Sequence, residues 1–369
     1  METMRLRATG VLLLAMFIAW AAPLAGLAAA GQPVARFLDF PPRTEYVSHA
    51  SFAWSAFIAL SVPLLGAVAL FASAIVRAKP APAAASDSGR FPWWGWAALA
   101  LIAAGWVLAW TEGMVPPGWR RHTFTPLWLG YVLAMNALAW RRTGRSPLTH
   151  RTAWFLSLFP VSAAFWWLFE HLNQFVSNWY YSGIHASGDW DYFLQATLPF
   201  STVLPAVAST WAWLRGFPRL EALALPAVRG HASLAWLALL AGALALAGVG
   251  FRPEVLYPAL WLGPLLVLCG LQHLLLGDSL LAPVARGDWR PLLQPALAAL
   301  VCGFFWEFWN YGSLAKWHYS VPYVQRFHVF EMPLLGYAGY LPFGVVCALV
   351  MDLVARLVER GPLYLRSIA

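Results

Sequence analysis

The chain has 369 residues, of which 60% are hydrophobic and 11% are charged, and its formal net charge is +8. Soluble domains carry about 25% charged residues, and this chain has several apolar runs near the ~20 residues that cross a bilayer, so a soluble globular class is excluded. The positive charge does not indicate nucleic-acid binding, because the basic residues lie in short loops between apolar runs, where they set topology and meet anionic headgroups.

The first apolar run covers residues 11–30 and follows Arg5 and Arg7. It ends in small residues, and a basic start with an apolar middle and a small-residue exit is typical of a cleavable signal peptide. The same run is long enough to remain as the first membrane helix. Both readings stay open from the sequence.

Nine further apolar segments follow along the chain. They cover residues 51–76, 93–111, 124–140, 152–173, 193–214, 232–250, 256–276, 291–312 and 333–357. The predicted fold is therefore an all-α, polytopic integral membrane protein with about ten transmembrane helices, or nine if the first is a cleaved signal. The segment 79–89 is rich in Pro, Ala and Ser and is predicted to be a linker.

Loop charges predict the orientation of these helices. More Lys and Arg fall in the loops on one side than on the other. The basic side comprises the N-terminus, 77–91, 141–151, 215–231, 277–290 and the C-terminus. By the positive-inside rule this side faces the cytoplasm, which predicts a multi-pass protein of a bacterial-type inner membrane with a cytoplasmic C-terminus.

The last eight segments form two sets with matching sequence features in the same order. The matches are Pro126 to Gly130 with Pro258 to Gly263, Glu170-x-x-Asn173 with Glu307-x-x-Asn310, Trp179-x-Tyr181-Ser182 with Trp317-x-Tyr319-Ser320, and Leu198-Pro199-Phe200 with Leu341-Pro342-Phe343. We therefore predict two tandem four-helix repeats. The predicted divisions are an N-terminal region 1–92, repeat one 93–216, repeat two 231–358 and a cytoplasmic tail 359–369. Units with an even number of spans enter from one side, so a pseudo-two-fold axis would run along the membrane normal.

Glu170 and Glu307 are the candidate catalytic residues. Ionisable residues within apolar segments are costly and usually functional. A two-fold axis would bring the two carboxyls to equivalent positions, where one would keep its proton near neutral pH and the pair could act as general acid and base. The alternative is a structural role, in which each Glu side chain extends to water at a helix end and each Asn forms hydrogen bonds between neighbouring helices.

Amide and aromatic side chains around these acids are the candidate substrate-binding residues. They are Asn173, Asn310, Trp179, Tyr181, Trp306, Trp309, Trp317, Tyr319 and Glu331. Aromatic faces stabilise cations, which suits an acid that protonates an alkene or a site for a lipid headgroup. We expect no metal, because His171, His318 and His328 match no metal-ligand spacing. The chain also has no phosphate-binding loop or dinucleotide fingerprint, so we expect no cofactor.

The second acidic element resembles the membrane lycopene cyclases and, more loosely, the carotenoid hydratases. The residues that carry the resemblance are Trp306-Glu307, Trp317-His318-Tyr319 and Glu331-Met332-Pro333. The resemblance implies an isoprenoid-modifying enzyme that works by acid–base chemistry without a redox cofactor.

Three functions are compatible with these features. The leading hypothesis is a membrane enzyme of the cyclase or hydratase type that acts on a lipid or isoprenoid at an exterior-facing site. The second is a transporter or lipid carrier built on parallel repeats. The third is a membrane assembly or structural protein whose protein partners the sequence does not name.

Overall fold

Long helices make up most of the chain. The computed structural model describes residues 2–79, 89–113 and 115–363. The helices are α1 (Glu2–Ala29), α2 (Trp54–Arg77), α3 (Trp93–Trp110), α4 (Pro117–Arg120), α5 (Phe124–Thr143), α6 (Pro147–His150), α7 (Thr152–Val176), α8 (Asp189–Phe200), α9 (Val203–Leu214), α10 (Pro218–Glu221), α11 (Ala232–Phe251), α12 (Pro253–Leu256), α13 (Ala259–Leu276), α14 (Arg290–Tyr311) and α15 (Tyr340–Val358). The predicted linker at 79–89 lies mostly outside the described residues.

Short strands and tight turns connect some of these helices. The strands are β1 (Trp179–Ser182), β2 (Lys316–Tyr319), β3 (His328–Val329) and β4 (Met332–Pro333), and the 3-10 turns are Ala35–Phe37, Ala282–Arg286 and Leu334–Gly339. β1 pairs with β2 and β3 pairs with β4, both antiparallel. The segments predicted as loops after Asn173 and Asn310 are therefore partly strands that pair with each other.

Eight helical segments of the described chain are long and apolar enough to cross a membrane. They are α1, α2, α3, α7, α11, α13, α14 and the segment Leu334–Val358. This confirms a helical, membrane-spanning protein. The predicted spans at 124–140 and 193–214 are not among these eight segments.

The helix predicted over 193–214 is two helices, α8 and α9, which are separated at Ser201 and Thr202. Pro199 is in the last turn of α8, and the hydroxyl of Thr202 donates to the Pro199 carbonyl at 2.7 Å. The hydroxyl of Ser162 in α7 donates to the Phe200 carbonyl at 2.6 Å and accepts from the Leu204 N–H at 3.0 Å. Backbone groups at a break inside an apolar bundle need such partners, and Ser162 supplies them from the neighbouring helix.

The first apolar run is packed inside the bundle against α11. A Cβ atom on Gly26 would lie 1.7 Å from the Ala247 carbonyl oxygen, and one on Gly250 would lie 2.0 Å from the Pro23 carbonyl oxygen. The two backbones approach this closely because neither glycine has a side chain, which is a common contact between membrane helices.

The two ends of the bundle differ in chemistry. Helices α7 and α14 both run toward β1 and β2, and we call this end the sheet end; α15 begins there and runs away from it. At the other end, which we call the far end, Arg151 forms an ion pair with Glu359. The buried Asp352 accepts from Arg356 Nε at 2.7 Å and from the Leu363 N–H at 2.6 Å. Ion pairs thus stabilise the far end, whereas the sheet end contains the candidate functional residues.

Candidate functional site

Glu170 lies in the last two turns of α7, at the sheet end, and is 1% exposed. Its Oε1 accepts from the indole nitrogen of Trp166 at 2.9 Å and from that of Trp179 at 3.1 Å. The hydroxyl of Tyr181 donates to the same oxygen at 2.5 Å. Three neutral donors from α7 and β1 therefore surround one carboxyl oxygen.

Glu307 occupies the corresponding place on α14 and is fully buried. Its Oε1 accepts from the hydroxyl of Tyr319 at 2.7 Å and from that of Tyr340 at 2.8 Å. The indole of Trp317 donates to the Tyr319 hydroxyl at 2.9 Å. The other oxygen, Oε2, is buried and has no hydrogen-bond partner in the part of the chain that the structure describes. Such an atom is costly to bury, and functional sites are where that cost is commonly retained.

No hydrogen bond joins Glu170 to Glu307 within residues 2–79, 89–113 and 115–363, and no cation there forms an ion pair with either carboxyl. Each acid instead has its own set of aromatic donors. Glu170 and Glu307 thus belong, at the level of hydrogen bonds, to two separate acid–tyrosine units. Burying a carboxyl without a cation requires such donors, which offset part of the lost hydration.

The two asparagines, predicted as substrate-binding residues, support the backbone and form no hydrogen bond to Glu170 or Glu307. Asn173 donates to the Trp179 carbonyl at 2.7 Å and accepts from the Asn178 N–H at 2.9 Å. Asn310 donates to the Trp317 carbonyl at 2.8 Å and accepts from the Trp317 N–H at 2.9 Å. Each amide therefore fixes the start of the strand that follows its helix, and with it the tryptophan and tyrosine of that strand.

The register of β1 and β2 relates the two units by a local two-fold arrangement. Trp179 lies opposite Tyr319, and Tyr181 lies opposite Trp317. Each tryptophan thus faces the tyrosine of the other unit, which is the exchange that a two-fold axis produces. The side chains that donate to Glu170 and Glu307 consequently stand side by side on one small sheet.

Next to this sheet lies a cavity of about 170 Å³. Seven aromatic side chains from the two units line it: Trp166, Trp179, Tyr181, Trp306, Trp317, Tyr319 and Tyr340. An engineered apolar cavity of about 150 Å³ holds a benzene ring, so this space suits part of an apolar ligand. Glu170 and Glu307 are absent from the lining and lie behind it. The groups that a ligand would touch are the rings and hydroxyls that those acids bond.

Tyr181 and Tyr319 stay protonated in this setting. Burial, followed by the nearby Glu170 carboxyl, raises the pKa of Tyr181 well above its usual value. Burial, followed by Glu307, does the same to the pKa of Tyr319. Both hydroxyls therefore keep their protons at physiological pH and act as neutral hydrogen-bond donors between an acid and the cavity.

The structure separates the predicted binding residues into three groups. Trp179, Tyr181, Trp306, Trp317 and Tyr319 line the cavity. The two asparagines are buried behind it, as described above. Trp309 is 2% exposed, packs against Trp128 with ring centroids 5.4 Å apart, and does not line the cavity.

Glu331, the remaining predicted binding residue, lies between β3 and β4. Its carboxyl pairs with Lys316 at 2.5 Å and with His318 at 3.4 Å. Burial acts to raise the pKa of Glu331, but the bonds and charges of Lys316 and His318 outweigh it and hold the pKa below the usual value. Glu331 therefore pairs with two residues of β2 and does not itself line the cavity. One of those residues, Lys316, does line it.

Several lining residues were not predicted from the sequence. Tyr340 is the second donor to Glu307, and Trp261 of α13 stacks on Trp179 with ring centroids 6.0 Å apart. Arg121 and His122, which precede α5, also line the cavity. The signal for Tyr340 is its place three residues before the Phe343 of the repeated Leu-Pro-Phe feature, and the signal for Trp261 is its place in the matched Pro258 to Gly263 feature. Arg121 and His122 have no such signal, because only the tertiary fold brings them here.

No group of His, Cys, Asp and Glu side chains in the described residues is arranged to hold a metal ion. Comparison with protein-family models, with curated proteins and with solved structures finds no match to this chain. The function must therefore be inferred from the site.

Proposed function

We propose that this protein is an integral membrane enzyme that acts on a lipid or isoprenoid by cofactor-independent acid–base chemistry, as a cyclase or hydratase would. One observation carries the proposal: Tyr181 and Tyr319 line an aromatic cavity, and their hydroxyls donate to the buried carboxyls of Glu170 and Glu307. Apolar walls with a few placed polar groups are typical of small-molecule sites.

The proposed mechanism is a proton relay. A hydroxyl both donates and accepts, so the 2.7 Å contact between Tyr319 and Glu307 serves in either direction. When the Glu307 carboxyl holds a proton, it passes that proton to the Tyr319 oxygen as the Tyr319 hydroxyl proton moves to an alkene carbon. The tyrosine is neutral before and after, the glutamate becomes a carboxylate, and the positive charge appears on the substrate. Aromatic rings around the cavity stabilise that cation.

The reverse transfer completes the reaction. A carboxylate behind Tyr181 accepts the proton that the tyrosine takes from the substrate cation, or from water that attacks it. Glu170 and Glu307 would then act as base and acid through separate tyrosines, which needs no contact between the two carboxyls.

We also propose the finer architecture predicted from the sequence: two tandem repeats, with the sheet end outside and the C-terminus in the cytoplasm. The exchanged register of β1 and β2 and the similar surroundings of Glu170 and Glu307 support the repeats. The distribution of Lys and Arg supports the orientation.

The decisive experiment combines lipid analysis with four conservative variants. The protein is purified gently and its bound lipid is identified by mass spectrometry; a prenyl or polyene lipid is expected. Conversion is then measured for Glu170→Gln, Glu307→Gln, Tyr181→Phe and Tyr319→Phe. General acid–base groups contribute about 10²–10⁴-fold, so we expect rate losses in that range. Folded variants that give cells the same lipid composition as the wild-type protein would refute the proposed enzymatic activity.

A lipid carrier is the second candidate, because the break between α8 and α9 borders the cavity at Pro199, Phe200 and Val203. Interrupted membrane helices are common at transport sites. A carrier needs the cavity but no proton transfer. Tyr181→Phe and Tyr319→Phe variants that still move lipid between vesicles, with no chemical change in it, would favour the carrier.

A further inference from the structure

The described lining of the cavity contains three basic side chains. Among the described lining residues are Arg121, His122 and Lys316, and no carboxylate is among them. Phe124, at the start of α5 and three residues after Arg121, packs edge-on against Trp317 with ring centroids 5.4 Å apart. Arg121 and Lys316 therefore flank the same pair of rings.

These three basic side chains differ in whether a carboxylate of the protein lies close to them. Lys316 is paired with Glu331 at 2.5 Å. His122 lies near enough to Asp191 to lower the pKa of that exposed carboxyl, after the larger effects of its bonds from Ser187 and Gln195. The Arg121 side chain forms no ion pair or hydrogen bond with any described residue, and its Nε is buried without a partner.

Arg121 is partly exposed, but its Nε is buried at an apolar cavity, and an anion would give this nitrogen the partner that it lacks. Arginine binds phosphate and carboxylate groups with two parallel hydrogen bonds. A cationic headgroup would instead be repelled by this lining. The charge of the lining is thus complementary to an anion attached to an apolar chain.

We propose that the cavity binds an anionic amphiphile whose phosphate or carboxylate head lies against the Arg121 guanidinium while its apolar chain lies among the aromatic rings. The inference rests on the proposed function in taking the cavity as the lipid site. It adds the chemical class of the substrate and assigns Arg121 as a substrate-binding residue.

The experiment uses quenching of tryptophan fluorescence in the full-length purified protein, because several tryptophans line the cavity. The probes are a prenyl monophosphate, the prenol with the same chain, the fatty acid of similar length and inorganic phosphate alone. The wild-type protein is expected to bind the prenyl phosphate or the fatty acid at least about tenfold more tightly than the prenol, since a charge-assisted bidentate pair is among the strongest polar contacts. Inorganic phosphate alone is expected to bind weakly.

Three variants locate the headgroup. Arg121→Gln should remove the preference for the charged probe and leave prenol affinity unchanged, and Arg121→Lys should keep part of the preference. Lys316→Gln should have a smaller effect because Glu331 already neutralises that charge. Arg141→Gln, an exposed arginine at the other end of α5, is the matched control and should bind all probes as the wild type does.

The outcomes separate this inference from the proposed function. If wild-type protein binds the prenol as tightly as the prenyl phosphate and the fatty acid, the anionic head is refuted while the apolar site stands. If Arg121→Gln keeps the full preference, Arg121 is not the headgroup ligand and the inference fails. If inorganic phosphate binds as tightly as the prenyl phosphate, the chain contributes nothing and the amphiphile is refuted. If none of the chain-bearing probes binds, both this inference and the lipid enzyme are lost.

Discussion

At the scale of the residue, the main lesson concerns Glu170 and Glu307. Neither acid lines the cavity, and each accepts a hydrogen bond from a tyrosine that does. A residue can therefore be central to a site without touching what binds there. The spacing of Glu and Asn predicted where the candidate site lies in the sequence. It did not predict that the tyrosines line the cavity while the acids do not, because that arrangement depends on side-chain packing.

The asparagines allow a direct test of backbone support. Asn310→Ala and Asn173→Ala each remove bonds to strand N–H and carbonyl groups. We expect a loss of roughly 2–4 kcal/mol in unfolding free energy for each variant, because buried backbone groups are left without partners. Thermal or denaturant unfolding in detergent measures it.

Gln174→Met is the matched control for that measurement. Gln174 follows Asn173 on α7, and its buried amide nitrogen has no hydrogen-bond partner among the described residues. Removing it should be neutral or slightly stabilising. Equal losses for Asn173→Ala and Gln174→Met would contradict the supporting role.

Glu331 predicts a pH dependence of the sheet end. Its pKa lies below the ordinary 4.5 despite burial, because Lys316 and His318 favour the carboxylate. The stabilisation is thus fully present above pH 4.5 and is lost as pH falls through the lower native value. Melting temperature followed through this acid range should fall more for the wild type than for Glu331→Gln, while Glu45→Gln, which alters an exposed acid, should behave as the wild type.

At the scale of the element, the break between α8 and α9 is a feature that hydrophobicity does not predict. The apolar run at 193–214 is continuous, so it predicts one span, yet the chain is broken at Ser201 and Thr202. The partner that permits the break, Ser162, lies on another helix. Apolar runs therefore predicted most helices, whereas a break that depends on a distant hydroxyl could not be predicted.

Ser162→Ala tests that explanation. Losing the hydroxyl leaves the Phe200 carbonyl and the Leu204 N–H without this partner, so we expect roughly 1–3 kcal/mol of destabilisation. Ser157→Ala is the control, because Ser157 only donates to a carbonyl of its own helix, that of Trp154. That control should change stability by about 0.5 kcal/mol or less. A similar effect from both changes would sink the explanation.

At the scale of the whole molecule, ion pairs occur at both ends of the bundle, whereas the aromatic cavity lies at the sheet end. The far end has paired charges such as Arg151 with Glu359 and Asp352 with Arg356. The sheet end has the aromatic cavity and its basic residues. Composition alone predicted a helical membrane protein, and the matched motifs predicted where its site lies. Composition could not predict the cavity wall, because Trp261, Tyr340 and Arg121 come from three separate segments.

The proposed orientation is tested by labelling in intact cells. Ser187→Cys and His150→Cys place a thiol at exposed positions of the sheet end and the far end, respectively. A membrane-impermeant maleimide should label Ser187→Cys before lysis and His150→Cys only after it, with the wild-type cysteines as background. The opposite pattern would reverse the proposed topology.

The pairing of β1 with β2 also has a consequence for biogenesis. The two strands lie in opposite halves of the chain, so ribosomal synthesis delivers Glu170 and its donors long before Glu307 exists. Until the second half is inserted, the aromatic wall from the first half faces lipid instead of its partner strand. Distant pairings of this kind form late. A truncated or stalled chain would therefore carry half a site, and the cavity would be among the last parts of the molecule to mature.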